Sequence, residues 1–166
     1  MKIHDDHLYH GAVLTQIAEH PQFTAINSFK HQDGPSRSAF KINDGIGVFL
    51  KYATETKEPF NEYVFTFRQE HLGELKSIAA KSEKVFLALV CVKGREICCL
   101  PYEQLLELVD RRLKARKYPE EQYTILATLP EGKAFRVYVN APDKKKTFLG
   151  EQFIIPRKNF PNKLFE

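Results

Sequence analysis

Residues 85–92, VFLALVCV, are apolar at every position. A strand with one wet face alternates polar and apolar residues. An unbroken run of this length therefore reads as a strand buried on both faces, at the centre of a sheet. EICCL (96–100) follows a turn over Lys93-Gly94-Arg95-Glu96 and reads as its hairpin partner. That closure sets Cys91 opposite Cys98. Three cysteines without framework spacing favour buried thiols over a cross-strand disulfide.

Moving outward toward the N-terminus, QEHLGELKSIAAKS (69–82) carries Leu72, Leu75, Ile78 and Ala79 at helical spacing. Before it come three strand-like runs, AFKIN (39–43), IGVFLKYA (46–53) and EYVFTFR (62–68), with Asp44-Gly45 as a hairpin signal between the first two. KHQDGPSRS (30–38) reads as a polar loop. Leu8 to Glu19 reads as a helix with Tyr9, Val13 and Ile17 on one stripe, ended by Pro21.

Toward the C-terminus, a helix from Pro101 to about Arg116 carries Tyr102, Leu105, Leu106, Val109 and Leu113. Two strands, YTILATL (123–129) and AFRVYVN (134–140), flank a turn, and NAPDKKKT (140–147) reads as an exposed loop. The tail from Phe148 offers one more strand and a proline-broken segment that must dock Phe160, Leu164 and Phe165 to stay ordered. The expected fold is α+β: a mixed or antiparallel sheet with a three-stranded meander at its core and helices packed on it, as one domain over residues 1–166.

Composition sets outer bounds. A chain of 166 residues buries roughly 70% of its unfolded surface around one core. A formal charge of +4, from 25 Lys and Arg against 21 Asp and Glu, permits a polyanion partner without requiring one. The start MKIHDDHLYH has no apolar leader core, and no apolar run approaches the roughly 20 residues of a membrane span. The expectation is a soluble, cytoplasmic protein with no membrane partner. No P-loop, Gly-x-Gly-x-x-Gly or zinc-ligand spacing occurs, which argues against nucleotide cofactors and structural zinc.

The order helix, three-stranded meander, helix, buried strand, over roughly residues 8–92, resembles the core of the restriction-endonuclease-like superfamily. The resemblance implies an acidic residue on the second strand and a Glu-x-Lys on the third, which together hold Mg²⁺ and orient water for phosphodiester cleavage. Asp44 and Glu55-Thr56-Lys57 supply the letters. An extended strand between them holds Asp44 and Glu55 on the order of 35 Å apart, so the signature is not intact.

Side-chain parity offers another constellation. If Phe40/Ile42, Ile46/Val48/Leu50 and Tyr63/Phe65/Phe67 face the core, then Lys41, Asn43, Phe49, Lys51, Glu62, Thr66 and Arg68 share the opposite face. Such a face is an ordinary solvated sheet surface, a phosphate cradle, or a degenerate nuclease centre. In the last case Lys51 positions water and phosphate. Glu62 with Asp44, or with Glu19 from the first helix, binds Mg²⁺, and Lys41 and Arg68 contact the DNA or RNA backbone. Arg112 in DRRLKARK (110–117) and Lys145 in DKKK (143–146) extend that footprint if they lie on the same side.

His4, His7 and His10 recur every three residues beside Asp5 and Asp6. They sweep about 120° of helix surface and cannot all face one ion, so His10 reads as a half-buried member of the apolar stripe. The rival to the nucleic-acid reading is a non-enzymatic interaction module, homodimeric or heteromeric. Its surface would be FIIPRKNFPNKLF (153–165) together with Phe49 and Tyr138, taken as exposed.

Overall fold

A computed structural model describes residues 1–31 and 34–166; Gln32 and Asp33 of the expected loop KHQDGPSRS lie outside the described residues. The chain folds as an α+β domain with mixed and antiparallel sheets. Strands β1 (Ile26–His31), β2 (Gly34–Ile42), β3 (Ile46–Ala53), β5 (Lys84–Cys91) and β6 (Glu96–Pro101) form the first sheet in that spatial order. Strands β4 (Tyr63–Arg68), β7 (Gln122–Thr128), β8 (Phe135–Tyr138) and β11 (Phe153–Ile155) form the second, with β4 at one edge. The helices are α1 (Asp5–Ala18), α2 (Gln69–Ala80) and α3 (Tyr102–Arg116).

β5 is an interior strand, between β3 and β6, and Val85 to Cys91 are all buried, as the unbroken apolar run requires. It lies parallel to β3 from Ile46↔Lys84 to Ala53↔Cys91 and antiparallel to β6. Each face of this sheet carries its own core. On one, Val13 and Ile17 of α1 and Leu164 of the C-terminal tail cover Ile42, Val48, Leu50, Phe86 and Val90. On the other, Leu75 and Ile78 of α2, Leu105 and Leu108 of α3 and the inner face of the second sheet cover Ala39, Phe49, Leu87 and Leu89.

Four expectations need correction. The meander is β1–β2–β3, not β2–β3–β4, because EYVFTFR leaves β3 and pairs instead with β7, Tyr63↔Ala127 to Arg68↔Gln122. Within KHQDGPSRS, Lys30↔Pro35 and His31↔Gly34 are paired, so the described residues on either side belong to β1 and β2. Cys98 lies opposite Leu89 and Cys91 opposite Glu96, so the hairpin is shifted from the expected register, and all three cysteines are free and buried. In NAPDKKKT, residues 143–147 are exposed as expected and 140–142 are half-buried, and the segment forms a hairpin of β9 (Asn140–Ala141) and β10 (Lys144–Phe148).

Two glycines permit close approaches that position β3. A Cβ on Gly47 would meet Ile78 Cγ2 at 2.6 Å, so α2 sits against β3 only because that position has no side chain. Gly45 accepts the main-chain N–H groups of Glu83 and Lys84 at 2.8 and 3.2 Å, which docks the start of β5 onto the β2–β3 turn. In that turn it is Asn43 that takes the left-handed conformation, at φ 53°. Its side chain, expected on an open polar face, instead ties down the α1–β1 connection: Oδ1 accepts from Thr24 N and Oγ1, and Nδ2 donates to Gln22 O.

Candidate functional site: the Lys51 cleft

β2 follows β3 only from Ile42↔Ile46 to Ala39↔Phe49 and then diverges. β3 continues to Ala53 with β5 on its other side. The edge that β2 vacates faces the outer edge of β4. Between them opens a cleft of about 360 Å³, lined by Leu50 to Tyr52, Val64 to Thr66, Ser38, His71, and Asp6 and His10 of α1. It is a gap at the seam of the two sheets, reached from both faces of the first.

Lys51 spans this seam. Its Nζ donates to the main-chain oxygen of Thr66 and sits 4.9 Å from the centre of the Phe67 ring. Burial, and then the Arg68 guanidinium, lower the Lys51 pKa below the ordinary lysine value, with Glu70 acting in opposition. Lys51 forms no ion pair among the described residues.

His71 stands beside it, its ring edge-on to Phe49 with centroids 6.2 Å apart. The Arg68 main-chain N–H donates to His71 Nδ1 at 3.0 Å, so the neutral ring carries its proton on Nε2. Burial lowers the His71 pKa, Lys51 and Arg68 lower it further, and Glu70 and Glu74 oppose. His10, buried as its stripe position implied, bonds through Nδ1 to the Arg37 carbonyl oxygen at 3.2 Å. Its pKa is lowered chiefly by burial, against the Arg37 hydrogen bond and Asp6.

Of the expected site residues, the fold brings together only Lys51 and Arg68, with Thr66 between them. Glu62 lies one residue before β4, and its carboxylate accepts from Tyr138 Oη. Tyr138 is in register with Leu126 and Val64 and lies on β8, two strands in from β4. Asp44 is exposed in the β2–β3 turn, at the far end of β3 from Glu62, on the order of 30 Å along the strand. Glu19 caps the end of α1 and is separated from Lys51 by the sheet itself.

Lys41 is half-buried opposite Gly47. Lys145 is exposed on the β9–β10 hairpin. Arg112 is engaged within the fold: Nε and Nη2 donate to the two Glu120 carboxylate oxygens at 2.9 and 2.6 Å, and Nη1 to the Asn140 carbonyl at 2.8 Å. The polar face inferred from parity is likewise interrupted by core, since Phe49 is 1% exposed; Tyr138, expected exposed on an interaction surface, is 2% exposed. His71 and Ser38 were not anticipated. The usable signal for His71 was its place three residues after the helix cap Arg68, where a side-chain acceptor reaches back to the cap N–H.

No match is found among protein-family models, curated proteins or solved structures. The case for function therefore rests on the cleft. No helix among the described residues is long and apolar enough to cross a membrane.

Proposed function

We propose that this chain is a nucleic-acid-associated α+β domain that binds a phosphate backbone of DNA or RNA at the Lys51 cleft without cleaving it. One observation carries the reading. The Lys51 ammonium is drawn out of water into a cleft beside Arg68 and His71, and is ion-paired with no carboxylate among the described residues. A half-buried cation bonded only to a carbonyl is under-neutralised, and a phosphate oxygen is the counter-ion that Lys and Arg most commonly take from nucleic acid.

Cleavage is left out for a geometric reason. Mg²⁺ needs carboxylate oxygens that converge within a few Å, and Asp44, Glu19 and Glu62 stand on three separate sides of β3 and β4. The reading assigns no step to a metal. The interaction-module alternative keeps Ile154, exposed in 153–165, but loses most of the aromatic features that motivated it. Phe49 and Tyr138 are core residues, Leu164 is buried, and Phe160 and Phe165 pack against the α1-side core.

Fluorescence anisotropy with labelled DNA and RNA oligonucleotides across a salt series tests this. The expected result is salt-dependent binding that Lys51→Met and Arg68→Ala each weaken, with the logarithmic salt slope falling by about one per contact removed. Binding that survives both substitutions sinks the assignment, and Mg²⁺-dependent cleavage of either nucleic acid removes the non-cleaving half of it.

A further inference from the structure

The Lys51 ammonium carries three hydrogens and has one protein acceptor for them among the described residues. Nζ donates to the Thr66 main-chain oxygen, lies over the Phe67 ring and forms no ion pair there. Two histidines line the same cleft, and their main-chain partners fix opposite tautomers. His10 bonds through Nδ1 to the Arg37 carbonyl oxygen at 3.2 Å, so its proton sits on Nδ1 and Nε2 is left as a base. His71 accepts at Nδ1 from the Arg68 main chain at 3.0 Å, so its Nε2 carries the hydrogen and is a donor.

We propose that Lys51 is an amine nucleophile that condenses with a small aldehyde in this cleft to form a protonated imine. Ammonium plus aldehyde gives the imine cation plus water. The C=N bond forms, the C=O bond breaks, the oxygen leaves as water, and no outside oxidant or reductant takes part. The cleft supplies His10 Nε2 as a base for one ammonium proton and the His71 Nε2–H as a donor to the carbonyl oxygen. The product keeps a single N–H, which matches the single acceptor at Thr66, and its charge stays beside the Phe67 ring. No polyanion is needed for this chemistry, so it stands apart from the nucleic-acid reading.

Partial removal from water and a neighbouring cation make a lysine nucleophilic closer to neutral pH, because both disfavour the ammonium form. Lys51 meets both conditions. It is half-buried, Arg68 is the cation, and together they lower its pKa against the opposing charge of Glu70. The volume of the cleft, about 360 Å³, is at the small end for ligand cavities and suits a compact electrophile. Lys145, exposed and without an ion pair among the described residues, is the natural reference amine.

The deciding experiment is reductive trapping of the whole chain with limiting propanal and cyanoborohydride across about pH 6–9, read lysine by lysine by peptide mass. Lys51 is expected to take up the propyl group several-fold faster than Lys145 at about pH 7, with a rate that levels off at lower pH. The preference vanishes in urea, where the cleft is gone, and Arg68→Gln moves the Lys51 profile to higher pH. Labelling of Lys51 no faster than of Lys145 overturns the inference, as does a preference that persists in urea. An unmoved profile in Arg68→Gln overturns the part given to Arg68. Preferential labelling of Lys51 in a chain that binds neither DNA nor RNA keeps the inference and fails the nucleic-acid reading. Oligonucleotide binding without preferential labelling does the reverse.

Discussion

The main-chain N–H of Arg68 donates to Nδ1 of His71 at 3.0 Å, so the first turn of α2 is closed by an imidazole that must stay neutral to accept. The same geometry starts α1, where His4 N donates to His7 Nδ1 at 2.9 Å. Glu or Gln ordinarily fills this reciprocal position at a helix start. With His71 there, the end of β4, the start of α2 and the Lys51 cleft depend on one ring nitrogen.

Acid should therefore weaken the fold through His71. Its folded pKa lies below its ordinary value of 6.5, so the unfolded chain binds the proton more readily. The contribution is fully present above about pH 6.5 and is lost as pH falls from there through the folded value. His10, shifted in the same direction, adds to the loss. Urea midpoints at about pH 7.5 and pH 5 should differ in the native chain and differ less in His71→Gln, where the amide oxygen accepts at both values. An equal pH dependence in the two proteins would remove His71 from the account.

Phe49 is where the two sheets and α2 meet. Cutting it to alanine should cost about 3–5 kcal/mol in chemical denaturation, as for other fully buried phenylalanines. A loss under about 1 kcal/mol would return Phe49 to a solvated sheet face.

Gly47→Ala probes the approach of α2 to β3. The added methyl meets Ile78 Cγ2 at 2.6 Å in the buried core, so destabilisation of about 1–3 kcal/mol is expected by the same measurement. Gly73→Ala is its control. That site on α2 has no heavy atom within 4 Å of the added carbon, and the substitution should be neutral or mildly stabilising.

Arg112→Ala separates a fold role from a binding role. Its side chain is 18% exposed and that of Glu120 15%, and the pair closes the end of α3 onto the Asn140 carbonyl. Loss of about 1–3 kcal/mol in stability is expected, with oligonucleotide affinity unchanged at temperatures where the variant is folded. A change in affinity with unchanged stability would restore Arg112 to the expected basic footprint.

How far the chain could be read follows from what each segment buries. VFLALVCV declared its interior place, covered on both faces, because both of its faces are apolar. IGVFLKYA has the same property over Val48, Phe49 and Leu50, and weighing only Ile46/Val48/Leu50 hid the second buried face, and with it the second sheet. INSFKH (26–31) alternates too weakly to read as a strand, since an edge strand exists by pairing with its neighbour. EYVFTFR was legible as a strand but not by sheet, because its inward residues Tyr63, Phe65 and Phe67 suit either partner. The cleft was legible only as Lys51 and Arg68, since the gap is made by β2 leaving β3, which no local pattern records.

The three buried thiols have a consequence for measurement. Cys91 and Cys99 have pKa values pushed up to about 12 chiefly by burial, and Cys98 is raised well above its ordinary value for the same reason. Thiolate, the form that alkylating reagents attack, is then almost absent while the central sheet is closed. Cys91 ends β5, and Cys98 and Cys99 lie on opposite faces of β6, one in each core. A mass-resolved alkylation time course on the unmodified chain thus acts as a pair of internal clocks, with Cys99 timing the release of α1 and the tail and Cys98 the parting of the two sheets.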